Sequence, residues 1–190
     1  MTVPFPPARS RPWAQGFTTM EIMVTVAVLG VVAAVVVPAN QVQWRRERVN
    51  AAALELTSWL EVIARTPDQT GASCTVTVTT GTNRAAGALL ATVVSNPSGV
   101  ACAPESTLNL PATVLGASTY HVGASSTTIT FTPRGAVSTA GPIQVRISVD
   151  GQLPLRCVQV SGLLGLLRLG NNNTTGNVGT ACDASQFNRA

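Results

Sequence analysis

From Phe17 to Val37 the chain is almost unbroken hydrocarbon, interrupted only by Thr18, Thr19, Glu21 and Thr25. A run of that length has few options. At ~1.5 Å of helical rise per residue it matches what a single crossing of a bilayer needs. Residues 1–16 before it carry Pro4, Pro6, Pro7 and Pro12, with Arg9 and Arg11 and no acid, so that stretch does not form a helix. An ordinary secretory signal would be cut after its apolar stretch, at a small-x-small sequence. Pro38-Ala39-Asn40 offers none, and the only good breakpoint is Gly16, ahead of the run. The apolar segment is therefore expected to stay in the mature chain.

Within that run Glu21 is the anomaly. An unpaired carboxylate inside a membrane costs several kcal/mol, so it demands a partner. Cleavage between Gly16 and Phe17 would create one, a free α-amine four residues away. In a bundle, Glu21 of one copy would pair with the amine of its neighbour and set the axial register. The first turn of a helix also accepts an acid because of its positive dipole end.

Gly16-Phe17-Thr18-Thr19-Met20-Glu21 followed by an apolar run resembles the leader junction of type IV prepilins and type II secretion pseudopilins. The resemblance implies cleavage after Gly16, N-methylation of Phe17, an assembly role for Glu21, and a bend in the long helix at Pro38. Phe131-Thr132-Pro133-Arg134-Gly135 resembles the F-x-P-x-G segment of the GspH/FimT family of minor pilins and pseudopilins. Independently of any family, Pro133 and Gly135 break a strand and make a turn.

Beyond Pro38, Val42, Val49, Ala53, Leu56, Leu60 and Ile63 recur mostly at spacings of three and four, with Glu55 and Glu61 between them. That is an amphipathic helix over about 39–65, ended by Thr66-Pro67-Asp68-Gln69-Thr70-Gly71. Trp44 and Arg45-Arg46-Glu47-Arg48 read as an interfacial aromatic with snorkelling cations. From Ser73 onward the texture is β: Thr75–Thr79, Thr128–Phe131, Ile143–Val149 and Leu155–Val160 alternate by two, and Gly, Pro, Asn and Ser separate them. Asp150-Gly151 signals a hairpin, read here with a slightly longer loop. Asn171–Gly176 reads as a mobile loop tied back by Cys182.

The expected fold class is α+β: a long N-terminal helix, membrane-spanning in its first half, packed on an antiparallel β-rich head of seven or eight strands. The expected division is a leader at 1–16, a transmembrane and assembly half-helix at 17–38, an amphipathic half at 39–66 and a periplasmic head at 67–190. The expected location is the bacterial inner membrane, single-pass with the N-terminus cytoplasmic, then a pilus or pseudopilus.

Cys74, Cys102, Cys157 and Cys182 all follow the apolar run, and none forms a C-x-x-C pair, which disfavours zinc and thioredoxin-type chemistry. An even count in an exported region suggests disulfides. Three pairings are open, the sequence-local one being Cys74–Cys102 with Cys157–Cys182; four buried free thiols are the alternative.

The formal charge is +4, and loss of Arg9 and Arg11 leaves ten Arg against eight acids, too slight an excess to argue a nucleic-acid partner. His121 is the sole histidine, the acids show no pair spacing, and no nucleotide-binding or nucleophile motif occurs, so neither an enzyme nor a cofactor is expected. The implied role is a minor pilin or pseudopilin that initiates, enters or caps a filament. Its partners would be other pilins, a prepilin peptidase/N-methyltransferase and the inner membrane. The alternative is a DNA-binding minor pilin. Some FimT-like members carry a G-R-x-R motif, but here Gly165-Leu166-Leu167-Arg168 lacks the first arginine. Arg156, Arg168 and Arg189 are the residues that remain for phosphate contact.

Overall fold

The computed structural model of the chain describes residues 16–112, 118–138, 141–162 and 165–187, with the side chains of 34–40 left aside. The chain divides into two units, Met1–Gln41 and Val42–Ala190. Helix α1 is assigned over Thr19–Thr70, with side chains described at 19–33 and 41–70.

The first unit corrects the expected fold class and location. Among the described residues no helix is long and apolar enough to cross a membrane. The transmembrane half-helix, the single-pass inner-membrane anchor and the picture of one long membrane-inserted helix bearing a head are therefore withdrawn.

The second unit is built on one face of α1. Val49, Ala52, Ala53, Leu56, Leu60 and Ile63 are wholly buried and Trp59 nearly so, at the three- and four-residue spacing that stacks side chains on one side of a helix. Burying a leucine or isoleucine of this row contributes about 1.5–3 kcal/mol. Glu55 and Glu61 point the other way, into solvent. Val42 was placed on the stripe by its spacing but is 40% exposed. The helix also runs past its expected end, through Pro67 to Thr70. Gly71, at φ 70°, then turns the chain out of it and donates to the Pro67 carbonyl at 2.9 Å.

Nine strands are described, all paired antiparallel in two sheets. In chain order they are β1 Ser73–Val78, β2 Gly81–Ala85, β3 Leu89–Asn96, β4 Thr107–Asn109, β5 Thr119–Ala124, β6 Thr128–Phe131, β7 Ile143–Val149, β8 Gln152–Val160 and β9 Leu167–Asn172. The first sheet is ordered β4-β3-β1-β6 and the second β2-β5-β7-β8-β9. Alternation decides which residues face the core: Cys74, Val76 and Val78 go in, and Thr75 goes out to meet Thr130 across the strand pair, hydroxyl to hydroxyl at 3.1 Å. Ile143, Val145, Ile147 and Val149 of β7 join Val158 and Val160 of β8 and the buried face of α1 in one core.

The β7–β8 connection is shorter than expected. Only Asp150 and Gly151 separate Val149 from its partner Gln152, with φ of 54° and 63°. Two successive positive φ values make the twisted two-residue turn that matches the hand of the flanking strands. The Asp150 carboxylate accepts the Thr119 N–H at 2.8 Å, which fastens the turn to β5.

Candidate assembly element and the C-terminal strap

Residues 16–33 hold most of the junction features that the sequence singles out. Thr18 caps α1: its carbonyl accepts the Glu21 N–H at 3.1 Å and the Ile22 N–H at 3.2 Å, and its hydroxyl accepts the Glu21 N–H at 3.3 Å. Thr18-x-x-Glu21 is the spacing of a capping box, a signal the sequence reading passed over. Glu21 is exposed in the first turn, where the helix dipole favours a carboxylate. A second hydroxyl, Thr25, is absorbed locally by donating to the Ile22 carbonyl at 2.8 Å. The hydroxyls of Thr18 and Thr25 are thus taken up by the helix itself, while its apolar residues have no such cover. Phe17, Met20, Ile22, Met23, Val24, Val26, Val28, Leu29, Val31 and Val32 are all exposed, Ile22 the least at 52% and Phe17 the most at 78%. They lie on every side of the helix, so no single face is the outward one. The 1–15 part of the leader, the Pro38 side chain and Arg189 lie outside the described residues.

The four cysteines form two bridges, Cys74–Cys102 and Cys157–Cys182, which is the sequence-local pairing. The first joins β1 to the segment between β3 and β4, inside the main core. The second ties back the chain beyond Asn171–Gly176 through Cys182, as expected. The tied segment, 176–187, is a strap laid over the outer face of the second sheet.

The strap explains buried polar residues that alternation would send to solvent. On β7, Gln144, Arg146 and Ser148 point away from the core at two-residue spacing. Each grips the strap's main chain. The Gln144 amide donates to the Cys182 carbonyl and accepts the Cys182 N–H, both at 3.0 Å. Arg146 Nη1 donates to the Gly179 carbonyl at 2.9 Å, and the Ser148 hydroxyl donates to the Gly176 carbonyl at 2.7 Å. Arg146 is left only 8% exposed, and burial pulls its pKa down from the usual guanidinium value. Across the sheet, Gly123, Arg146, Cys157 and Gly170 form one row in register. The glycines make room: a Cβ at Gly123 would stand 2.5 Å from the Val178 carbonyl oxygen, and one at Gly170 would stand 2.7 Å from the Phe187 ring. Phe187, Leu155 and the Cys157–Cys182 bridge make a small second core under the strap, with Val178 packed against it.

Of the arginines singled out for phosphate contact, the two that are described, Arg156 and Arg168, lie on opposite faces of the second sheet. Arg168 pairs with Gln159, on the strap side of the second sheet, whereas Arg156 is one odd step away on β8 and faces α1. There its Nε donates to the Asn50 side chain. Burial lowers the Arg156 pKa, and neighbouring Arg46 lowers it further. His121 sits against the Asp150–Gly151 turn, where a Cβ on Gly151 would come within 3.2 Å of its ring. Among the described residues no group of three His, Cys, Asp or Glu side chains is placed to hold a metal ion.

Compared with family models, with curated proteins and with solved structures, the chain matches none.

Proposed function

We propose that the chain is a filament subunit of the minor pilin or pseudopilin kind, released by cleavage between Gly16 and Phe17 and assembled through residues 17–33 of α1. One observation carries the reading: a helix apolar on all sides, with every large apolar residue from Phe17 to Val32 exposed in the single chain. A helix of that kind is stable only when surrounded. The Val42–Ala190 unit closes its own core from α1 and two sheets, and in a filament the 17–33 surface would be covered by other copies. In such a bundle Glu21, four residues from the new amine of Phe17, is placed to pair with a neighbour and fix the stagger between copies.

The test is assembly of the processed chain. Mass spectrometry of the mature polypeptide should begin at Phe17. Met23→Asp with Leu29→Asp should abolish filaments by electron microscopy and leave a folded monomer by sedimentation. Filaments formed normally by that variant would refute assembly through this stretch. Glu21→Gln should still associate but with irregular stagger, seen as loss of the helical layer lines.

A further inference from the structure

We propose that Gln144 is a positioning residue for the Cys157–Cys182 bridge: it docks the strap while both thiols are still reduced and thereby selects this partner for Cys182. The inference goes beyond the assembly reading and does not depend on it. Disulfide choice among four cysteines is a matter of which sulfurs are held together, since three pairings are chemically equal. Among the described residues, Gln144 is the side chain whose hydrogen bonds hold the main chain of Cys182. Its two hydrogen bonds take both the N–H and the C=O of that residue, at 3.0 Å each, as a neighbouring strand would. Two residues along β7, Arg146 is paired in register with Cys157. The grip on Cys182 and the sulfur it must reach are therefore set by one strand, on one face. Arg146 and Ser148 repeat the grip at Gly179 and Gly176, so the strap is registered at three points before any sulfur reacts. The gaps at Gly123 and Gly170 admit Val178 and Phe187 without regard to oxidation state.

The chemistry balances with a disulfide oxidant such as oxidised glutathione. One protein thiolate attacks it and expels a glutathione thiolate. The second protein thiolate then attacks the mixed disulfide and expels the other. One S–S bond forms and one breaks, the protein loses two electrons, and its two thiol protons end on glutathione. The strap's docking sets how often the second attack succeeds.

The experiment uses the full chain. In a Cys157→Ser/Cys182→Ser variant, which keeps Cys74–Cys102, amides of 176–182 should remain protected from hydrogen exchange. Adding Gln144→Ala should speed their exchange roughly tenfold or more, the effect of losing two hydrogen bonds. Gln144→Glu, which keeps the acceptor for the Cys182 N–H but not the donor, should fall between. In the four-cysteine chain, Gln144→Ala should slow closure of Cys157–Cys182 by oxidised glutathione and leave closure of Cys74–Cys102, on the other sheet, unchanged. Free-peptide exchange of the strap in the double serine variant would overturn the proposal, because the bond alone would then hold the strap. Unchanged exchange and unchanged closure in Gln144→Ala would overturn it equally. If Gln144→Ala does not fold, Gln144→Glu carries the same comparison.

Discussion

Gly123 on β5 lies directly under the main chain of Val178: a Cβ there would stand 2.5 Å from the Val178 carbonyl oxygen and 3.0 Å from its Cβ. The nearest obstacle is backbone, which cannot rotate aside. Gly123→Ala should therefore push the strap off the second sheet and destabilise the fold by about 1–3 kcal/mol. Urea denaturation gives the magnitude. Faster hydrogen exchange confined to 173–187 would locate it.

The two sides of α1 should respond very differently to the same chemistry. Leu60 is wholly buried in the main core, whereas Leu54 is exposed. Leu60→Ala should cost about 2–5 kcal/mol, and Leu54→Ala should stay within about 0.5 kcal/mol. Denaturant midpoints of the two variants measure both.

Replacing Cys74 and Cys102 together by alanine opens a link that spans 28 residues within the main core. Restriction of the unfolded chain by such a link is worth about 2–4 kcal/mol. The paired variant should lose that much, and reductant should then lower the wild-type midpoint more than the variant's. Equal sensitivity of both proteins to reductant would show that the bridge adds nothing.

Burial pushes the Tyr120 hydroxyl above its ordinary value of 10.0; nearby Arg48 pulls against that shift and Glu55 adds to it. The folded chain thus holds this proton more tightly than the unfolded one. The stabilisation is full below pH 10 and is lost as pH rises from there through the folded-state value. Tyr120→Phe should flatten the alkaline limb of the stability–pH curve, read from denaturant midpoints, while in the parent chain, whose sole tyrosine is Tyr120, tyrosinate absorbance should appear only above pH 10. Losing the 3.4 Å contact of the hydroxyl with the Pro111 carbonyl should change little else.

Much of the Val42–Ala190 unit is legible in the sequence because its signals are local. The 49–63 helical stripe, the alternating runs at β1, β6, β7 and β8, and the Asp150-Gly151 turn depend on neighbours only a few residues away. The strap is not legible in that way. Asn171–Gly176 has the composition of a loose loop, and only the three-dimensional row Gly123–Arg146–Cys157–Gly170 shows what the segment after it lies on. Alternation places Arg146 and Ser148 outside correctly, but no period in the chain says that the outside is covered. At the other end, hydrophobicity alone reads 17–37 as a membrane span, and among the described residues no helix supplies that span. The exposed 17–33 surface was visible as composition, but its lack of a preferred side becomes plain only on the helix.

The close approaches at Gly123, Gly170 and Gly176 link residues far apart in the chain: 123 with the main chain at 178, 170 with the ring of 187, and 176 with the main chain at 151–152. At Gly170 the obstacle is a side chain, so bulk gained there must be surrendered at 187. At Gly123 and Gly176 the obstacle is main chain and has nothing to surrender. Related sequences should therefore covary at 170/187 and hold glycine at 123 and 176, a statistical imprint of the strap written in sequence alone.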